Sequence, residues 1–149
     1  MKLLKDIIYG VRIIEIKGNT NIAIENIAFD SREINNLSLF IAVKGVSQDG
    51  HNFISQAQNS GACAIICESL PEILNDEITY IKVLDSSKSL GIVASNFFDN
   101  PSEKLKLVGI TGTNGKTTCA TLLYDLYRLM GYKTGLISTV HIKILHKTI

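Results

Sequence analysis

The segment Gly109-Ile-Thr-Gly-Thr-Asn-Gly-Lys-Thr-Thr118 combines the residue types that cradle a polyphosphate. It follows an apolar run, Leu105 to Ile110, and passes into a helical pattern near Lys116. A strand that enters a glycine-rich turn and leaves as a helix aims several backbone N–H groups at one spot, which suits phosphate oxygens. Lys116 adds a point charge for β- and γ-phosphates, and the Thr117 hydroxyl suits a Mg²⁺ position. The chemistry is that of a nucleoside triphosphate site. Its spacing departs from the generic phosphate loop, which wants a glycine where Ile110 stands.

A second group of polar residues lies upstream. Asp30-Ser31-Arg32 ends a predicted strand, and Leu39-Phe-Ile-Ala-Val-Lys-Gly45 runs toward Gln48-Asp49-Gly50-His51. A serine at the carboxyl end of a strand can hydrogen-bond a phosphate or a ribose hydroxyl, where α/β proteins tend to bind ligands. Residue chemistry alone favours a structural alternative. In it Asp30 pairs with Arg32, Ser31 makes a turn, Asp49-Gly50 is a tight turn, and His51 starts a helix. Three cysteines, Cys63, Cys67 and Cys119, lack the spacing of a disulfide framework. Cys63 and Cys67 read as buried reduced thiols beside a strand, and Cys119 as a small packing residue.

The elements that must position these groups follow from hydrophobic patterning. Leu3, Leu4, Ile7 and Ile8 predict a short opening helix. Ile13–Ile16, Ile22–Ile24, Asn26–Asp30 and Leu39–Val43 predict strands. Asp49 to Ser60 predicts a helix with Phe53, Ile54 and Ala57 on one face, stopped by Gly61. Ala62–Cys67 and Thr79–Val83 read as buried strands. Ser86 is the expected cap of a helix whose stripe is Leu90, Val93, Ala94, Phe97 and Phe98, ended by Asn100-Pro101. Residues 1–103 thus form one α/β domain, with Pro101–Lys104 as linker. A βαβ unit follows: strand 105–110, helix 116–130 and strand 134–138, with an extended arm from His141. One helix cannot cover both faces of a parallel sheet, so the domain at 104–149 is expected to be truncated.

Bulk properties narrow the classes. The chain has 149 residues, 46% of them apolar, and a formal net charge of +1. Disorder and a nucleic-acid surface are both disfavoured. No secretory leader and no membrane-length apolar run is apparent, which reads as a cytoplasmic protein.

Asp-Ser-Arg, Leu-Phe-Ile-Ala-Val-x-Gly, Asp-Gly-His-x-Phe-Ile, Gly-Ala-x-Ala-Ile-Ile and the glycine loop, in this order, closely resemble the Mur ligase family across essentially the whole chain. The resemblance implies a UDP-substrate domain at 1–103 and the opening of a parallel-sheet ATP-binding domain at 104–149. It implies Ser31 and Phe29 at the UDP-sugar, with Val46, Ser47 and Gln48 at its uridine end. ATP would sit on Gly112, Thr113, Asn114, Gly115, Lys116, Thr117 and Thr118, with Lys116 catalytic and Thr117 on Mg²⁺. Ile110 is then the family's own version of the loop.

Thr118–Leu123 and Gly131–Val140 are most similar to the branch that adds a diamino acid to UDP-MurNAc-L-Ala-D-Glu. That branch works through an acyl phosphate in peptidoglycan synthesis. A sister branch follows the loop with Thr-Lys-Glu, and folate polyglutamate ligases lack the upstream segments. The implied partners are the UDP-MurNAc dipeptide and a diamino acid, meso-diaminopimelate or L-lysine. The implied protein is a monomer without nucleic acid or membrane insertion. A non-catalytic UDP-sugar-binding module is the alternative from a different class.

Overall fold

The computed structural model describes residues 1–45 and 48–148. They fall into two compact units, Met1–Leu105 and Lys106–Ile149. The first opens with β1 (Lys2–Leu3) and α1 (Leu4–Ile7), then β2 (Ile13–Lys17), β3 (Ala23–Ile24), β4 (Asn26–Ala28) and β5 (Ser38–Ile41). It continues with α2 (Ile54–Asn59), β6 (Ala62–Cys67), β7 (Thr79–Val83) and α3 (Ser86–Phe97).

The central sheet has the order β2-β7-β6-β5-β4, in which β4 to β7 run parallel and β2 is antiparallel to β7. Parallel strands covered on both faces read as unbroken apolar runs. Leu39, Phe40, Ile41 and Ala42 are accordingly all 0% exposed. Within such runs the period of two still assigns each side chain to a face. Leu39, Ile41, Ala64, Ile66, Ile81 and Val83 pack with Leu4, Ile7 and Val93 of α1 and α3. Phe40, Ala42, Ile65, Cys67 and Tyr80 pack with Ile54 and Ala57 of α2. The result is a sheet with helices on both sides.

Local chemistry sets the helix boundaries. A 3₁₀ turn, Gly50–Phe53, leads into α2, and Gly61 beyond it has φ +102°, which a residue with a Cβ rarely adopts. The cap of α3 is Asp85 rather than Ser86: its carboxylate accepts the Lys88 N–H at 2.9 Å. Ser86 is instead the first helical residue and is fully buried, with its hydroxyl engaged by Glu68. Phe98 does not extend the buried stripe. The helix ends at Phe97, and Phe98 is 61% exposed, its ring set edge-on against Phe97.

The end of α3 is tied to the start of the chain. Asn96 Nδ2 donates to the carbonyls of Ile7 and Tyr9 at 2.9 and 2.8 Å. Lys2 Nζ donates to the Asn96 carbonyl and to the Asp99 carboxylate. The Lys2 hydrogen bond holds the Asp99 carboxyl below its usual range.

In the second unit α4 (Lys116–Leu129) is followed by β8 (Gly135–Ile137), β9 (Ile142–Ile144) and β10 (Lys147–Thr148). These strands form an antiparallel sheet in the order β10-β9-β8. The arm expected from His141 is therefore a hairpin, turning at Leu145 with φ +54°. The strand expected at 105–110 joins no ladder, and Leu105, Leu107 and Val108 are 62%, 70% and 67% exposed. A parallel strand needs a neighbour and cover on both faces, and the described residues supply neither. Tyr124 and Leu136 are the buried large side chains here, and the Tyr124 hydroxyl donates to the Leu145 carbonyl.

Cys67 is buried, which pushes its thiol up to about 11, and half-buried Cys63 is shifted the same way. Cys119, expected to pack, is exposed on α4. Among the described residues no helix is long and apolar enough to cross a membrane.

Asn96→Ala removes hydrogen bonds to two backbone carbonyls, the part-buried one of Ile7 and the exposed one of Tyr9, and should cost about 1–3 kcal/mol in urea unfolding. Phe98→Ala, an exposed substitution, should stay within about 0.5 kcal/mol of the unaltered chain.

Candidate functional site

Because β4 to β7 are parallel, their carboxyl ends open at one edge of the sheet, where ligands of α/β folds gather. Phe29, Asp30 and Ser31 follow β4, and Val43, Lys44 and Gly45 follow β5. Glu68 follows β6, and Leu84, Asp85 and Ser86 follow β7. The Asp-Ser-Arg and Asp-Gly-His segments, far apart in sequence, thus meet at the same edge.

Asp30 and Arg32 do pair, with Nη2 2.6 Å and Nε 2.9 Å from the carboxylate, which also accepts the Arg32 N–H. The arginine's side-chain hydrogen bond, followed by that backbone bond, lowers the Asp30 carboxyl to about 2. Both groups face water, so the pair shapes the turn more than it stabilises the fold. Ser31 is buried to 8% exposure and donates to Gln56 Oε1 of α2 at 3.0 Å. Its lone pairs remain able to accept. Phe29 is 62% exposed and offers an apolar ring at the same edge.

The described residues on either side of positions 46 and 47 are bonded to one another. Gly45 N–H donates to the Gln48 carbonyl at 3.0 Å and Gly50 N–H to the Val43 carbonyl at 2.8 Å. A Cβ on Gly50 would lie 2.7 Å from both the Val43 nitrogen and oxygen, so this position admits only glycine. Gln48 is exposed. Val46 and Ser47, assigned to the uridine end by resemblance, lie outside the described residues.

His51 starts the helical segment and has bonds on both nitrogens. Nδ1 lies 2.6 Å from Asp49 Oδ1, and Nε2 accepts the Glu68 N–H at 2.8 Å. The Glu68 carboxylate accepts both the N–H and the hydroxyl of Ser86, at 2.9 and 2.7 Å. Those two bonds hold the Glu68 carboxyl below its usual range, and the His51 N–H and ring do the same for Asp49. Sequence reasoning passed over Glu68 and read Ser86 only as a helix cap. The available signal was their position at the carboxyl ends of two strands already predicted.

The glycine loop lies in the second unit. Gly112 has φ +144°, and Gly115, with φ +77°, caps α4. The helix's own hydrogen bonding begins with Cys119 N–H to the Gly115 carbonyl, so the N–H groups of Lys116, Thr117 and Thr118 have no intrahelical acceptor. Lys116 Nζ folds back across the loop to the carbonyls of Gly112 and Thr113. Thr113, Asn114 and Thr118 are exposed and Thr117 is half-buried. A depression of about 310 Å³ beside the loop is lined by Thr117, Thr118, Thr121, Leu122, His141 and Lys143. A larger one, about 380 Å³ near Pro71–Asn75, touches none of the predicted site residues. No cluster of three His, Cys, Asp or Glu side chains able to hold a metal occurs among the described residues.

The depressed carboxyls of Asp30, Asp49, Glu68, Asp85 and Asp99 give the first unit a pH signature. A carboxyl whose folded pKa lies below its unfolded value stabilises fully above the unfolded value and loses that contribution as pH falls through the folded one. For Glu68 the loss begins below its ordinary value of 4.5. Urea midpoints measured from pH 6 to pH 3 should fall, and Ser86→Ala, which removes the hydroxyl but keeps the backbone N–H to Glu68, should flatten only a portion of the share due to Glu68.

Residues 23–98 match the model of the Mur ligase family, catalytic domain, a stretch from β3 to the end of α3. The UDP-N-acetylmuramoyl-L-alanyl-D-glutamate--2,6-diaminopimelate ligase of Cytophaga hutchinsonii is 56% identical over 138 residues, covering 92% of this chain and 28% of that protein. A solved ligase of the same name superposes over 99% of this chain and 29% of its own, with a TM-score of 0.75 at 23% identity, which is a likeness of fold. MurF ligase from Thermotoga maritima, in complex with ADP, is 32% identical over 70% of this chain and 23% of its own, with a TM-score of 0.53. The chain spans about 28% of the length of the curated relatives it matches. Just over half of its residues fall within the matched family stretch, and the chain belongs to the Mur ligase family.

Proposed function

We propose that this chain is the substrate-holding part of an ATP-dependent ligase that joins a diamino acid to UDP-MurNAc-L-Ala-D-Glu. Residues 1–103 are the UDP-substrate domain, and 104–149 are the start of the ATP-binding domain. The names of relatives at 44–56% identity support the substrate assignment. The observation that supports the reaction class is the geometry at α4: the N–H groups of Lys116–Thr118 have no intrahelical acceptor and Lys116 stands at the same helix start, an arrangement that suits a polyphosphate. The sister branch and the folate enzymes share such a loop. A relative crystallised with ADP supports nucleotide as its occupant.

In this reading Ser31, held by Gln56, meets the UDP-sugar through its free lone pairs, with the Phe29 ring beside it. Gln48, with Val46 and Ser47, meets the uridine end. Gly112 to Thr118 hold the β- and γ-phosphates, and Lys116 neutralises charge on the phosphoryl group as it transfers. Mg²⁺ needs only one or two protein oxygens when phosphate and water complete its shell. Thr117 fits as such a ligand, and the ion would supply further charge neutralisation there. The free cysteines fit a reducing compartment, the cytoplasm.

The dipeptide substrate at 100 times its Kd should stabilise the chain by about 2.7 kcal/mol in a thermal-shift titration, if it binds only the folded state. Ser31→Ala should weaken that shift and Lys116→Ala should leave it intact. The converse pattern is expected with ATP and Mg²⁺. Absence of any shift with saturating dipeptide substrate would sink the first-domain assignment. Coupled phosphate release should show no turnover by this chain alone, since so little of the relatives' length is present.

A further inference from the structure

The second unit is strongly basic. Residues 106–149 carry six Lys and Arg side chains against a single acid, Asp125, although the chain as a whole is nearly neutral. Asp125 stands 3.8 Å from Arg128, the one ion pair of this unit among the described residues. An imbalance of this kind raises the local concentration of anions.

One of these cations, Lys143, occupies a position that strand patterning reserves for an apolar side chain. It lies in β9, the middle strand of the β10-β9-β8 sheet, directly opposite Leu136 of β8. Residues opposite one another in an antiparallel pair share a face. Leu136 is buried and β8 packs against α4, so the face that holds Lys143 is the one toward the helix. Ile142 and Ile144, one residue to either side, point the opposite way and are exposed. The usual alternation is therefore inverted: the helix side of β9 receives a charge.

Lys143 makes no ion pair among the described residues. Its Nζ rests 5.5 Å from the centroid of the Tyr124 ring, over a face of an α4 side chain. It also forms part of the wall of the depression beside the glycine loop, where Thr117, Thr118, Thr121 and Leu122 of α4 face His141 and Lys143. The turn that leads into β9 is ordered by Ser138, whose hydroxyl accepts the His141 N–H and donates to the His141 carbonyl, both at 3.0 Å. The strand thus enters beside the first turn of α4 in a fixed position, with a flexible four-carbon stem to carry the ammonium.

We propose that Lys143 is a second phosphate-binding cation of the glycine loop: it leaves the Tyr124 ring and pairs, from the side of the depression, with a polyphosphate seated at Lys116–Thr118. The inference rests on the nucleotide reading given above and adds to it a residue from a separate element. A triphosphate carries more negative charge than the Lys116 ammonium alone offsets. A cation–π contact is weaker than a charge-assisted hydrogen bond to phosphate, so the exchange favours the ligand.

The test uses the full chain with ATP and with inorganic tripolyphosphate, each in the presence of Mg²⁺. Calorimetry should show Lys143→Gln weakening both ligands by about tenfold, the weight of one charge-assisted bond. Lys143→Arg, which keeps the charge, should recover most of the loss. Lys147→Gln, an exposed cation of β10 outside the depression, should change affinity by less than about twofold, because solvent screens a remote surface charge. A second measurement needs no variant. Acetylation of lysines in the unaltered chain, read by mass spectrometry, should be slowed by tripolyphosphate at Lys116 and Lys143 and left unchanged at Lys133 and Lys147. This arm decides the matter if Lys143→Gln disturbs the fold of the second unit.

Unchanged affinity in a folded Lys143→Gln, or protection of Lys116 without Lys143, overturns the proposal and leaves the nucleotide reading standing. A loss for ATP with none for tripolyphosphate places Lys143 at the nucleoside and overturns its phosphate role. If the unaltered chain binds neither anion and Lys116 is not protected, the nucleotide reading fails and the role of Lys143 fails with it.

Discussion

Cover on both faces of a parallel sheet is the constraint from which the rest of this structure follows. Where α1 and α3 lie on one side and α2 on the other, the runs Leu39–Ala42 and Ala64–Cys67 are buried and four strands align in parallel. Where the described residues provide one helix, Leu105–Ile110 stays outside any ladder and β8 pairs with a hairpin instead. Similar apolar patterning therefore leads to two outcomes in one chain, decided by what is available to pack against it.

The same constraint makes the site. Strands whose side chains are committed to two cores can act on a ligand only beyond their ends. Four parallel strands deliver their ends to one edge, so Ser31, Lys44, Glu68 and Ser86 all lie along it without any strand leaving the sheet. Polar groups at that edge are partly withdrawn from water and must satisfy one another. Among the described residues no buried side-chain nitrogen or oxygen lacks a partner. Here the Lys44 N–H donates to the Ser86 hydroxyl, the Ser86 hydroxyl and N–H donate to the Glu68 carboxylate, and the Glu68 N–H donates to His51, which pairs with Asp49.

Much of this was legible in the sequence, and the misses have physical reasons. β6 and β7 were readable to the residue because a buried parallel strand is an apolar run bounded by polar residues. The start of α4 was readable because Gly115-Lys116 marks a glycine cap followed by helix formers. Asp85 and Ser86 were confused because either can cap, and only the presence of Glu68 frees Asp85 for that task. Phe98 fits the periodicity but falls one residue past the helix, where periodicity no longer directs a side chain. The strand at 105–110 was expected from composition, which cannot report whether a neighbouring strand exists. His51 was seen only as a helix-start residue, because its partner Glu68 is brought near by the crossover through α2.

The posture of Lys116 has a consequence for what the glycine loop will accept. Its ammonium already has two acceptors, the carbonyls of Gly112 and Thr113. An incoming anion does not find a bare charge; it must exchange places with two dipoles of the protein's own backbone. A small, singly charged anion gains little from that exchange. A polyphosphate can also reach the N–H groups at the head of α4, so several charge-assisted bonds replace the two that are released. On the proposed nucleotide reading, the loop's internal bonds would favour a ligand long enough and charged enough to engage lysine and helix together.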